Sequence, residues 1–106
     1  MSACPEWYEN GAKMLERTIE RRLFESTKKR GGIAYKFITT NRAGIPDRMV
    51  CLPRGKIAFI EIKAPGKKPR PLQQVRHNEL EALGQKVFVI DNMNHIEEVL
   101  NAIQNT

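Results

Sequence analysis

Two acidic residues and one lysine stand at the ends of neighbouring short segments, where together they could bind a metal ion. Asp47 opens the run Arg-Met-Val-Cys-Leu, whereas Glu61 and Lys63 close the next apolar run. Side chains alternate along a strand, so Glu61 and Lys63 share one face and Ile62 takes the other. Two adjacent carboxylates repel each other unless a cation lies between them, and oxygen ligands suit Mg²⁺ or Mn²⁺. We therefore expect Asp47, Glu61 and the backbone carbonyl of Ile62 to hold such an ion.

A divalent ion at this position would polarise a phosphodiester and lower the pKa of a bound water. Lys63, on the same face as Glu61, can orient that water and stabilise the charge of the transition state. Each residue alone has a simpler interpretation: Asp47 as a strand-start residue and Lys63 as a solvated strand end. The hypothesis depends on the three residues lying together.

The elements that must position these residues follow from periodicity and breakers. A stripe of apolar residues predicts an amphipathic helix over about Glu9 to Arg30; its members are Tyr8, Ala12, Leu15, Ile19 and Leu23. Runs rich in β-forming residues then predict strands over Ile33–Thr39, Asp47–Leu52, Lys56–Lys63 and Val87–Ile90. Helix start and stop signals and apolar spacing predict helices over Pro71–Leu83 and His95–Ile103.

The order of these elements predicts an α/β fold. The turn Pro53-Arg54-Gly55 makes the flanking strands an antiparallel hairpin. The last strand–helix–strand step should be a right-handed parallel crossover. We expect a single domain over residues 1–106, ordered α-β-β-β-α-β-α, with a mixed central sheet and helices on both faces.

Charge indicates a polyanionic partner. The 106 residues carry 18 Lys and Arg against 12 Asp and Glu, a formal net charge of +6, and a small basic domain suits nucleic acid. A basic loop without an acidic residue spans positions 62–78, and its DNA-binding candidates are Lys67, Lys68, Arg70 and Arg76. Such a run could also be a solvated lysine-rich turn. No base-reading motif accompanies it, so we expect contacts with the phosphate backbone.

Two negative observations bear on the location of the protein. Only Cys4 and Cys51 occur, so a disulfide framework is not expected. The sequence shows no apolar run of spanning length and no signal peptide. We expect a cytoplasmic protein without a membrane partner.

The residues also carry a family resemblance. Pro46-Asp47 followed by Glu61-Ile62-Lys63 resembles the PD-(D/E)XK nuclease signature, and within that superfamily the chain is similar to virus-type, stand-alone VRR-NUC nucleases. Supporting segments are Gly31-Gly32, Lys36-Phe37, Gly44-Ile45-Pro46-Asp47-Arg48, Phe59-Ile60-Glu61-Ile62-Lys63-Ala64-Pro65-Gly66 and Pro71-Leu72-Gln73. The resemblance implies a restriction-endonuclease-like core and a metal-dependent nuclease.

The resemblance also implies roles for further residues. Asp47 and Glu61 match the metal-binding positions and Lys63 the catalytic lysine. Gln73, with Gln74 as the competing residue, matches a glutamine at the start of the following helix. A glutamate of the first helix completes such sites, and Glu20 is preferred over Glu16. His77 and His95 are interpreted as surface residues rather than ligands.

The same resemblance suggests a homodimer that resolves Holliday (four-way) junctions, since small stand-alone relatives are used in this way. A short chain also gains stability from a buried self-interface. Three alternatives stay open: a nicking or flap-type nuclease on other branched DNA, a non-catalytic DNA-binding module on the same fold, and a structural protein that binds an acidic partner.

Overall fold

A four-stranded mixed sheet organises the chain in this computed structural model, which describes residues 6–38 and 42–106. The elements follow the order predicted from the sequence: α1 (Glu6–Lys29), β1 (Ile33–Lys36), β2 (Arg48–Leu52), β3 (Lys56–Ile62), α2 (Pro71–Ala82), β4 (Val87–Ile90), a 3-10 turn (Met93–His95) and α3 (Ile96–Gln104).

The strands lie in the order β1-β2-β3-β4. β1, β2 and β3 are antiparallel neighbours, and β4 runs parallel to β3. The predicted hairpin and the predicted parallel pairing of the last two strands are therefore both confirmed. β3 is an interior strand, as its nearly continuous apolar sequence predicts.

The hydrophobic core lies on the sheet face that α1 and α3 cover. Val50, Ala58 and Ile60 point to this face and are fully buried. α1 contributes Ile19 and Leu23 to the same cluster, and α3 contributes Ile96, Val99, Leu100 and Ile103. Each large side chain buried in this way stabilises the fold by about 1.5–3 kcal/mol. α2 packs on the opposite face, where it buries two polar side chains rather than apolar ones.

The first helix differs from its predicted form. It begins at Glu6, three residues before the expected start. Leu15, which was expected on the buried stripe, is 52% exposed, because the inward face of α1 continues from Ile19 and Leu23 to Ser26 and Thr27 instead. The side chains of Tyr8 and Ala12 lie outside the described part of the chain.

Strand β1 is shorter than predicted, ending at Lys36 where its partner β2 begins. Thr39, the expected last residue, is outside the described segments. Cys51 is a free thiol. Among residues 6–38 and 42–106, no helix combines the length and the apolar character needed to cross a membrane.

Candidate active site

The two carboxylates predicted to converge do so at one end of the sheet. Arg48 pairs with Ile60 across the β2–β3 ladder, which brings Asp47 level with Glu61. One carboxylate oxygen of Asp47, Oδ1, accepts a hydrogen bond from the backbone N–H of Ile62 at 3.4 Å. The Glu61 side chain is only 5% exposed. The hairpin register thus holds two acidic side chains beside the Ile62 backbone.

Burial perturbs both carboxyl groups in the same direction. Loss of solvent and the negative charge of Asp47 together raise the pKa of Glu61 to about 7, and Lys63 opposes the shift. Burial also raises the pKa of Asp47, against the lowering effect of Arg48. The ionised form is therefore disfavoured at both positions in the metal-free protein. A bound cation would favour the ionised form of both carboxyl groups and lower their pKa values.

Lys63 and Gln73 both reach Glu61. The Nζ atom of Lys63 lies 4.0 Å from Glu61 Oε2. Gln73 Nε2 donates to the same oxygen at 3.4 Å, and its Oε1 accepts from the backbone N–H of Arg70 at 2.8 Å. The competing residue, Gln74, is exposed and bonds Asn78 instead. Of the two glutamines, the structure brings Gln73 to the carboxylates.

His77 was expected at the surface, and that expectation is wrong. It is 2% exposed, and its Nε2 lies 3.7 Å from Glu61 Oε1. Neither of these two buried atoms has a hydrogen-bond partner within the described residues. Burial lowers the pKa of His77, so its neutral form is favoured. A sequence signal did exist, because Gln73 and His77 are four residues apart and share one helix face.

His95 is partly exposed, as expected, with its Nε2 3.9 Å from a carboxylate oxygen of Glu98. It lies in the 3-10 turn before α3, outside this cluster of side chains.

The first-helix glutamates approach the site from the other side, through a residue that sequence reasoning missed. Glu20 Oε2 lies 2.7 Å from Arg48 Nη2. Arg48 Nη1 in turn lies 3.4 Å from Asp47 Oδ2. Glu20 therefore reaches the carboxylate pair by way of Arg48. The charge of Glu16 raises the pKa of Glu61 and that of Glu20 raises the pKa of Asp47, so both acids lie within electrostatic reach.

Arg48 was identifiable from the pattern of its strand. It has the same parity as Val50 and Leu52, which predicts that its side chain enters the core face. The structure places it there, with 7% of the side chain exposed. A buried guanidinium needs partners, and Glu20 and Asp47 supply them.

The four basic candidates divide into two groups. Lys67, Lys68 and Arg70 are exposed in the loop that follows Lys63. Arg76 is occupied by internal contacts: Nη1 lies 3.0 Å from Glu79 Oε1, and Nε donates to the carbonyl of Ala43 at 3.1 Å. Three of the four side chains are therefore free to meet a phosphate backbone in this conformation.

A glycine fixes the distance between the Asp47 loop and α2. Gly44 has a φ of +85°, and a Cβ atom at this position would lie 2.8 Å from the carbonyl oxygen of Leu72. The loop that leads to Asp47 thus packs directly on the helix turn that carries Gln73. A larger residue would strain the backbone and separate the two parts of the site.

The residues fit a divalent metal ion. The unpartnered oxygen Glu61 Oε1 is buried beside a second carboxylate, and both are hard oxygen ligands. The part of the chain that the structure describes has no group of three or more acidic, histidine or cysteine side chains able to hold a metal. Two carboxylates and a backbone carbonyl would accordingly leave positions for water and substrate oxygens, as is usual for Mg²⁺.

Comparisons with known proteins bear on this geometry. A sequence relative, "Putative nuclease p44" of Acyrthosiphon pisum secondary endosymbiont phage 1, is 49% identical over 88 residues, covering 83% of this chain and 94% of that protein. A solved structure described as a VRR_NUC domain superposes with a TM-score of 0.76 at 31% identity, covering 81% of this chain and 94% of the other. A second, described as a VRR_NUC domain protein, has a TM-score of 0.65 at 19% identity, covering 81% and 84%. No known family profile matches the chain.

Proposed function

Since the chain belongs to the VRR_NUC family of nucleases, we propose that it is a metal-dependent endonuclease that cuts branched DNA, with the four-way (Holliday) junction as its preferred substrate. The observation that carries the proposal is the convergence of Asp47, Glu61 and Lys63 at one end of the sheet. An exposed basic loop begins directly beside them.

Asp47, Glu61 and the Ile62 carbonyl would hold Mg²⁺ or Mn²⁺. When bound, such an ion supplies Lewis-acid polarisation of the phosphodiester and lowers the pKa of a water. Lys63 places a positive charge next to Glu61, where it can orient the attacking water and stabilise the phosphorane-like charge. Gln73 holds the Glu61 carboxylate in place from α2. Arg48 ties Asp47 to Glu20, which makes Glu20 a positioning residue in this arrangement.

The first-helix acid that completes the site is part of the proposal. Glu20 was the preferred candidate from the sequence, but its carboxylate is engaged by Arg48 at 2.7 Å. The charge of Glu16 raises the pKa of Glu61, and that of Glu20 raises the pKa of Asp47. We therefore propose that Glu20 acts through Arg48, with Glu16 as the alternative acid that completes the site.

Selectivity for branched DNA is inferred from what the chain offers to DNA. The exposed cations Lys67, Lys68 and Arg70 suit phosphates, which carry affinity and no sequence information. Recognition would then depend on the shape of the DNA and on the symmetry of the protein. A two-fold dimer presents two active sites to a junction that is itself nearly two-fold symmetric.

An apolar surface supports a homodimer. The sheet face opposite the core leaves Ile33, Tyr35 and Ile57 about half exposed, and it continues over Phe59 to Leu83, which is 76% exposed. The four exposed side chains, Ile33, Tyr35, Ile57 and Leu83, together expose on the order of 400 Å², against about 800 Å² for each partner of a typical complex. A second copy that also buries the polar residues around this surface would bring the buried area close to that of a typical complex.

The rim of this surface has charges of both signs. Arg42 Nη2 lies 3.4 Å from Glu79 Oε2, and both residues line the groove beside Phe59. Each copy of a two-fold dimer would present both charges, so the same patch can serve both partners.

The decisive experiment is cleavage of four-way, flap and linear duplex DNA with Mg²⁺ or Mn²⁺, alongside the Asp47→Asn protein. We expect paired cuts in the four-way junction by the wild-type protein and none by the variant. If the protein cuts the flap DNA preferentially, or only nicks the junction, the preferred substrate is another branched DNA and not the four-way junction. Absence of cleavage on every DNA with either metal would refute the enzyme.

A further inference from the structure

A groove on the α1 side of the sheet shares Glu20 and Arg48 with the site described above, but its other charged residues have no role there. It has a volume of about 540 Å³ and adjoins Asp47 through Arg48. Its lining includes Arg17, Glu20, Arg21, Phe24, Lys36 and Arg48. Four cations therefore face a single carboxylate in one groove.

The cations of the groove differ in how they are used. Arg48 is buried and paired with Glu20 and Asp47. Arg17, Arg21 and Lys36 are exposed, and among the side chains that the structure describes, those of residues 15–38 and 42–106, they have no ion-pair partner. Unpaired cations held together in a concave surface attract a polyanion and raise its local concentration.

Helix geometry places these residues on one line. Arg17, Arg21 and Phe24 follow the spacing i, i+4, i+7, which puts them on a single stripe of α1. The Phe24 ring is 50% exposed, so the stripe presents two positive charges followed by an exposed aromatic ring. DNA combines phosphates with sugars and bases, and basic grooves with aromatic side chains are suited to it.

The groove and the basic loop connect to different carboxylates of the site, the groove to Asp47 through Arg48 and the loop to Glu61 through Lys63. The sequence of contacts runs from Glu20 through Arg48 to Asp47, and then from Glu61 to Lys63, after which the loop with Lys67 and Lys68 begins. A DNA strand whose scissile phosphate lies at Asp47 and Glu61 would therefore have two separate groups of cations next to it.

We propose that this groove is a second phosphate-binding site for DNA, in which Arg17, Arg21 and Lys36 hold the backbone on the α1 side of the scissile phosphate. The inference rests on the proposed nuclease function and adds a binding surface to it. Arg17 and Arg21 act here as binding residues at a distance from the reacting atoms.

The test measures DNA binding in the absence of cleavage. In the Asp47→Asn background, Kd for a fluorescent four-way junction is measured by anisotropy from 50 to 300 mM salt, with and without Arg17→Gln and Arg21→Gln. Each lost phosphate contact should reduce the log–log salt slope by about 0.9, so the double variant should lose about 1.8. At 0.1 M salt each contact is worth roughly eightfold in affinity, so binding should weaken by about 60-fold.

Arg22→Gln is the matched control. Arg22 is an exposed arginine of the same helix, and it lies about 100° around the helix from Arg21, away from the groove. Its substitution should leave the slope and Kd unchanged within about twofold. Replacing both groove arginines with lysine keeps their charges, so it should preserve the slope and distinguish lost contacts from a misfolded helix.

The outcomes separate the groove from the nuclease. If the parent protein binds DNA and the double variant has the same salt slope, the groove does not bind the DNA backbone. The proposed nuclease function is then unaffected. A slope reduced by about 0.9 with Arg22→Gln, half the loss of the double variant, would also overturn the proposal, because net charge alone would then explain the effect. A parent protein that binds no DNA would refute the proposed function itself.

Discussion

Replacing Glu61 by glutamine should stabilise the metal-free protein at alkaline pH while abolishing cleavage. The carboxyl group is buried beside Asp47, and its pKa rises from 4.5 to about 7 on folding. A raised carboxyl pKa means that the folded state prefers the protonated form. Stability is then fully present below pH 4.5 and is lost as the pH rises through 7. Glutamine has nearly the same shape and no charge, so it removes this penalty.

The size of the effect follows from the shift. At 1.36 kcal/mol for each pKa unit, the penalty of an ionised Glu61 is about 3 kcal/mol at pH 8 and about 1 kcal/mol at pH 5. Urea unfolding in EDTA at the two pH values, for wild-type and Glu61→Gln proteins, measures it. The difference between the two proteins should grow by about 2 kcal/mol from pH 5 to pH 8. The opposite contribution of His77, whose pKa is lowered by burial, is present in both proteins.

Metal addition supplies the control. Mg²⁺ at pH 8 should restore stability to the wild-type protein, because it binds the folded state, and should have little effect on the variant. A difference between the proteins that stays constant from pH 5 to pH 8 would refute the assigned burial of a charged Glu61. Wild-type cleavage by Glu61→Gln would refute its place in the active site.

Three further predictions test other parts of the structure. Reversing the charge of Lys67 and Lys68 to glutamate should lower the salt slope of DNA binding by about 0.9 for each lost contact; an unchanged slope would mean that the loop faces away from DNA. Tyr35→Glu, on the exposed sheet face, should convert a dimer to a monomer in analytical ultracentrifugation; a wild-type monomer at high micromolar concentration would contradict the dimer. Leu100→Ala, at a fully buried position of α3, should lower the free energy of unfolding by 2–5 kcal/mol, measured in urea.

The order and pairing of the strands could be predicted from the sequence because local patterns determine both. A short turn between two β-rich runs predicts the hairpin, and the hairpin alone brings Asp47 level with Glu61. Gln73 was identified through the family resemblance, and the helix start that Pro71 predicts placed it in the first turn of α2.

The residues that were missed are polar side chains buried by tertiary structure. α2 turns Gln73 and His77 inward, so its inner face is invisible to a search for apolar periodicity. His77 was placed at the surface for that reason. Leu15 shows the opposite error, because apolar spacing continued along α1 beyond the part that packs on the sheet. Burial in both cases depends on which surface another element covers.

The hairpin that joins the two carboxylates also bears on the kinetics of folding. β2 ends at Leu52 and β3 begins at Lys56, and a hairpin with so short a turn forms in about 1–10 μs. We therefore expect Asp47 and Glu61 to meet while both are still hydrated, before α2 docks and covers Glu61. The free-energy cost of burying the Glu61 charge would then arise after the main folding barrier has been crossed. A divalent ion that relieves it would slow unfolding and leave the folding rate nearly unchanged.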